Sequence, residues 1–225
     1  MAIGKTAGCL IAAATVAAWA AQFPVRHQHV RKGCAGVMTV DERGVSFAGP
    51  KKHAWTWKYQ DIQELKLAAH RIHILTYEDH KVRLGMDREY EFTGDIPAAE
   101  LYSMVQPRMD RRFVAEMERA SGPAIWSAPV KHLRRVVGSE GTLAVGEDTI
   151  VYATKAGGEA RTWRYSDIVN ISSSGPFQLT ITTYERARSH YGDRKGFNFE
   201  LKEPITEARY NELWLRIEKK NGRIQ

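Results

Sequence analysis

Polar and apolar positions alternate along much of this chain. Met38 and Val40 flank Thr39, and Leu143 and Val145 flank Ala144, a period of two that predicts β-strands within 27–40 and 132–145. The polar turns Asp41-Glu42-Arg43-Gly44 and Gly146-Glu147-Asp148-Thr149 fold the chain back. Val45 and Phe47, and likewise Ile150 and Tyr152, then complete two predicted hairpins. Trp57 and Tyr59 stand two apart, as do Trp163 and Tyr165, so each pair falls on one face of a third strand while Lys58 and Arg164 point away. Ile62, Leu65, Ile72 and Ile74 continue the short-strand pattern, and Ile168, Ile171, Leu179 and Ile181 answer them. The period then becomes helical: Leu101, Met104 and Val105 follow i, i+3, i+4 spacing, and Tyr210, Leu213, Trp214 and Ile217 extend it by a turn. Asp95 and Thr206 stand where N-caps belong, and Pro97 fits a first turn.

These elements occur twice. Trp57-Lys58-Tyr59-Gln60-Asp61-Ile62 returns 106 positions later as Trp163-Arg164-Tyr165-Ser166-Asp167-Ile168. Gly33, Gly36, Met38 and Val40 precede Gly138, Gly141, Leu143 and Val145 by 105 residues, and Ile72, Ile74, Tyr90 and Phe92 precede Leu179, Ile181, Phe197 and Phe199 by 107. An offset that grows one residue at a time is the mark of a duplicated unit whose loops have changed length. Two domains are expected, 25–121 and 130–221. Between them Pro107 interrupts the first helix, and Met109, Phe113 and Met117 predict a second amphipathic helix over 107–120, followed by a linker at 122–129.

About seven short strands and one C-terminal helix per unit, with W-x-Y-x-D-I at the third strand, resemble the pleckstrin-homology-like superfold, in particular its bacterial and GRAM-type branches. The resemblance implies a mainly β (α+β) chain: two tandem seven-stranded sandwiches or barrels, each closed by its helix. It also implies binding of lipid headgroups, peptides or proteins rather than catalysis. Trp57, Tyr59 and Ile62, with Trp163, Tyr165 and Ile168, are the expected repeat-defining core. Members that grip phosphoinositides resemble one another in carrying Lys and Arg around the first hairpin. The turns here are acidic, which disfavours that mode of lipid binding.

Export changes the chemistry that is available. Lys5 precedes an uncharged run from Thr6 to Ala21, and Ala18-Trp19-Ala20 places small residues two apart, so 1–20 reads as a secretory signal cut between Ala20 and Ala21. An uncleaved anchor is the alternative, and a lipoprotein reading at Cys9 is weaker because that cysteine precedes the apolar run. Cleavage removes Cys9 and leaves Cys34 as the one thiol, so no internal disulfide is expected. Cys34 stands where Ser139 stands in the other repeat and reads as a small strand residue. A composition of 43% apolar and 26% charged residues argues against wholesale disorder.

Candidate chemistry is sparse. His27 and His29 share a strand face, but His70 and His73 do not, and no cysteine or carboxylate pair completes either set by spacing, so no metal and no cofactor are expected. His27 recurs as His132, which suggests a shared structural hydrogen bond. Asp61 and Asp167 read as turn residues, and no phosphate loop, nucleophile elbow or zinc-protease helix is present. Lys and Arg total 33 against 26 acidic residues, a net charge of +7 that permits attraction to anionic surfaces. The basic groups are Arg108, Arg111 and Arg112; Lys131, Arg134 and Arg135; and Arg186, Arg188, Arg194 and Lys195. They read as solvated surface or as contacts to an anionic lipid or envelope polymer, with nucleic acid disfavoured. The expectation is an exported, periplasmic or secreted, non-enzymatic interaction module that binds a protein partner in the cell envelope. A peripheral binder of anionic lipid or polymer is the alternative, and an enzyme ranks last.

Overall fold

The computed structural model describes residues 20–29, 33–50, 53–80, 85–118, 123–134, 136–156, 159–187 and 194–225. The first half runs β1 (Ala20–Gln28), β2 (Cys34–Asp41), β3 (Gly44–Ala48), β4 (Ala54–Lys58), a 3-10 turn (Tyr59–Asp61), β5 (Ile62–Ala68), β6 (Arg71–Asp79), β7 (Asp87–Gly94) and α1 (Ala98–Val105). A connecting strand, β8 (Val114–Glu118), follows. The second half runs β9 (Trp126–Leu133), β10 (Ser139–Val145), β11 (Thr149–Thr154), β12 (Arg161–Arg164), a 3-10 turn (Tyr165–Asp167), β13 (Ile168–Ser172), β14 (Gln178–Arg186), β15 (Arg194–Leu201) and α2 (Glu207–Lys220).

Both halves pair their strands in one order: β4-β3-β2-β1-β7-β6-β5 and β12-β11-β10-β9-β15-β14-β13. β8 lies parallel to β5 and antiparallel to β12, so a single 15-stranded sheet runs through the molecule. The chain is therefore mainly β with one large open sheet. Two cores nevertheless persist. Trp57, Ile62, Tyr90 and Phe92 belong to one, and Trp163, Tyr165, Ile168, Phe197 and Phe199 to the other.

Several expectations are corrected. Where the apolar spacing predicts a helix over 107–120, the backbone turns at Asp110, whose carboxylate accepts from the Arg112 amide at 2.9 Å, and then extends as β8. β5 and β12 both present unpaired ladder groups at this point, and one strand satisfies both, which outweighs a weak helical preference. The linker at 122–129 is likewise shorter than expected, because β9 begins at Trp126. α1 takes Pro97, not Asp95, as its N-cap, whereas Thr206 caps α2 by accepting from the Arg209 amide at 3.3 Å. Trp214 lies on the outer side of α2, leaving Leu213 and Ile217 buried.

The correction that matters most for function concerns β1. Phe23, Val25 and His27 point into the core while Gln22, Pro24 and Arg26 face outward. This strand begins at Ala20, the last residue of the segment read as a leader, and Pro24 masks its alternation. The turn at Asp41–Gly44 thus joins the second and third strands, not the first and second. The first connections read His29-Val30-Arg31-Lys32-Gly33 and Arg134-Arg135-Val136-Val137-Gly138, which are basic. The acidity held against anionic ligands belongs to the next turn along.

Candidate functional site

Pairing of β1 with β2 sets His27 directly opposite Cys34, and the period of two puts His29 beside His27 on the same face. The connection from β3 to β4 doubles back through a Gly49 N–H to His53 C=O hydrogen bond of 2.8 Å and delivers His53 to the same place. Cys34 Sγ then lies 3.1 Å from His53 Nδ1 and 3.9 Å from His27 Nδ1. One ligand atom from each of His27, His29, Cys34 and His53 falls within 4.8 Å of all the others. The set that spacing alone leaves incomplete is completed in three dimensions by residues 5 and 24 positions beyond His29. Trp55 stacks on His53 at 5.6 Å between centroids and meets His27 edge-on at 4.8 Å. Burial, then the neighbouring His29, His53 and Arg88, hold the His27 imidazole down at about 4, so it stays neutral at ordinary pH.

The same corner of the second half holds His132, Arg134, Ser139 and Glu159. There Arg134 pairs with Glu159 at 3.1 Å, His132 Nδ1 lies 3.9 Å from the same carboxylate, and Ser139 Oγ hydrogen-bonds the Tyr152 hydroxyl at 2.8 Å. The expected shared hydrogen bond of His27 and His132 is not what unites them, because His132 Nδ1 makes none. What they share is packing: His27 lies 5.2 Å from Phe92, and His132 lies 5.1 Å from Phe199.

The basic residues do not form one surface. Arg108 donates to the Met104 carbonyl at the end of α1, Arg112 is bound to Asp110, and Arg111 lies over the Tyr184 ring at 4.8 Å and donates to the Ser166 carbonyl. Of these three cations, Arg111 ties the α1–β8 turn to the second half. Lys131 and Arg134 instead flank the β9–β10 tip, with Arg135 and Arg188 outside the described residues. At that tip Val136 is 89% and Val137 70% exposed, above every other large hydrophobic among the described residues. A cleft of about 440 Å³ lies where β5, β6 and β7 meet Met117 and Ala160. Its charges are already matched, Lys66 to Glu64 and Arg71 to Glu91, and His73 lies 3.6 Å from Glu89.

The W-x-Y-x-D-I motif organises the frame. Asp61 and Asp167 accept from the amides of Lys58 and Arg164 at 3.1 and 2.9 Å and so close their 3-10 turns. Tyr59 and Tyr165 sit in those turns, past the strand, and donate their hydroxyls to the Asp41 and Gly146 carbonyls. Trp163 donates to Glu185 at 3.1 Å; burial alone would raise that carboxyl, but Lys195 and Arg161 more than offset it and hold it at about 2. Arg164 reaches across the halves, to Glu116 at 3.2 Å and over the Tyr102 ring at 4.2 Å. Ala20 and Ala21, at the expected cleavage point, are the first residues of β1 and pair with Asp41 and Val40, while 1–19 lie outside the described residues.

No family model matches the sequence, and no curated protein matches it. Among solved structures the chain is similar to the Spt16D Pob3N heterodimer at 11% identity and a TM-score of 0.32, covering 83% of this chain and 98% of that one. It is similar to the pleckstrin homology domain of the human KIAA0053 protein at 12% identity and a TM-score of 0.30, covering 47% of this chain and 94% of that one. The DH/PH domains of p115-RhoGEF match at 6% identity and a TM-score of 0.30, over 45% of this chain and 31% of that one. The structural neighbours thus include pleckstrin homology domains, at overlaps that carry no information about ligand or activity.

Proposed function

We propose that this chain is an exported, non-enzymatic binding protein of the cell envelope, built of two pleckstrin-homology-like halves of bacterial or GRAM type. Its second half docks on an anionic membrane surface through the β9–β10 connection. The repeated strand order with a helix after each seventh strand supports the fold reading. The observation that carries the membrane reading is the pair Val136 and Val137, held out in water beside exposed Lys131. Burying a valine side chain gains roughly 1.5–3 kcal/mol when complete, and each cation near an anionic surface adds about 1 kcal/mol. Two valines and the Lys131 cation therefore give reversible attachment. No helix among the described residues is long and apolar enough to cross a membrane.

Flotation of the protein lacking residues 1–20 with phosphatidylcholine vesicles, with and without phosphatidylglycerol, at low and high salt, tests this reading. Association with the anionic vesicles alone, fading at high salt, is expected. The double substitution Val136→Ser and Val137→Ser should weaken it at least ~10-fold without lowering the melting temperature, since neither side chain packs in the core. Failure to float under every condition overturns it, and co-purification of an envelope protein that depends on these valines would put a protein partner in place of the membrane.

A further inference from the structure

We infer that His27, His29, Cys34 and His53 form a mononuclear binding site for a zinc-class transition-metal ion. The donors are one thiol and three imidazoles, delivered by β1, β2 and the start of β4. A tetrahedral zinc site holds nitrogen at ~2.0–2.1 Å and sulfur at ~2.3 Å, which places ligand atoms roughly 3.3–3.8 Å from one another. The observed separations of 3.1 and 3.9 Å at Cys34, within an envelope of 4.8 Å, need only small side-chain rotations to reach that geometry. Thiolate and imidazole suit zinc and its neighbours and not magnesium or calcium, which take oxygen ligands. With four protein donors and no vacant position, the set has the make-up of a holding site, not of a hydrolytic one.

Packing alone does not account for the grouping. His29 is exposed, so no core requires its ring there, yet it lies 5.3 Å from both His27 and His53. The other half supplies an internal control. Its equivalent corner has the same strand pairing and the same phenylalanine beneath the first histidine, but its polar groups answer one another as an Arg134–Glu159 ion pair and a Ser139–Tyr152 hydrogen bond. In the first half the positions of Arg134, Ser139 and Glu159 carry His29, Cys34 and His53, each a metal donor, and no carboxylate belongs to the cluster. The surroundings fit as well: Trp55 and Phe47 wall the inner side and orient the rings, while exposed His29 leaves a path of entry from solvent. A bound ion would tie the β1–β2 connection to the β3–β4 connection. It would exchange the Cys34 thiol proton for a sulfur–metal bond, with that proton released to solvent.

The test is titration of the untagged protein with zinc(II) by equilibrium dialysis, and with cobalt(II) by visible absorption. One equivalent per chain is expected, with the intense bands of tetrahedral cobalt, a thiolate charge-transfer band, and a rise in melting temperature that a chelator reverses. Cys34→Ser should remove the charge-transfer band. His29→Ala and His53→Ala, at positions outside the fully buried core, should each lower affinity at least ~10-fold with circular dichroism unchanged. His27 stays in place because its ring packs on Phe92. Substoichiometric binding, or binding that survives the combined Cys34→Ser and His53→Ala substitutions, overturns the inference. The β9–β10 tip and this cluster lie in different halves, so either can fail without the other.

Discussion

At one corner of the first half, His27, His29, Cys34 and His53 converge; at the same corner of the second, His132, Arg134, Ser139 and Glu159 do. The frames are alike down to the histidine resting on a phenylalanine and the tyrosine hydroxyl that ties the 3-10 turn to the second hairpin. The contents are not. In the second half a cation and an anion neutralise each other, whereas in the first the same positions supply only metal donors. A duplicated sheet constrains the inward residues that fill its core, while rim residues need only satisfy one another or a ligand. Where the halves differ at such a rim is thus where function is to be sought.

The comparison of cores can be broken most forcefully at the tryptophans. Trp57→Ala and Trp163→Ala should each cost ~3–5 kcal/mol in urea unfolding. The second should cost more, because Trp163 donates to the half-buried carboxylate of Glu185, whereas Trp57 meets only the neutral hydroxyl of Tyr90. Equal costs, or a larger cost at Trp57, would show that this hydrogen bond adds nothing to the second core.

A transplant sharpens the comparison of corners. Arg134→His, Ser139→Cys and Glu159→His together recreate the donor set on the second frame, where His132 already stands. Cobalt titration should then rise from one equivalent to two, with an unshifted charge-transfer band. Retention of a single equivalent would mean that the corners differ in backbone geometry as well as in side chains.

The smallest effect is with pH, measured with a chelator present. Burial holds His132 down to about 4 despite Glu159, while an unfolded histidine titrates near 6.5. The unfolded chain therefore takes up the proton first as pH falls. The contribution is complete above pH 6.5 and is lost between 6.5 and 4, by no more than ~1.4 kcal/mol per pH unit. His132→Phe should flatten that part of the melting-temperature profile, and an unchanged slope would refute it.

Much of this protein can be read along its length. Alternation at Met38–Val40 and Leu143–Val145, the repeated W-x-Y-x-D-I and the two closing helices reflect side chains that must choose between core and water. Burial writes that choice into residue order with a period of two or of 3.6. The repeated order of elements, most of the strands and the turn role of Asp61 and Asp167 were legible for this reason. Tertiary structure decided the rest. β8 is a strand and not a helix because two distant sheet edges needed a partner, and a local window cannot see them. β1 lay hidden behind Pro24 and the apolar segment before it, which displaced the first hairpin and with it the sign of charge at the tip. Cys34 and His53 join His27 and His29 only because β1 pairs with β2 and the β3–β4 connection folds back beside them. Such a site depends on strand register across loops, and register comes from pairing in space, which residue order does not record.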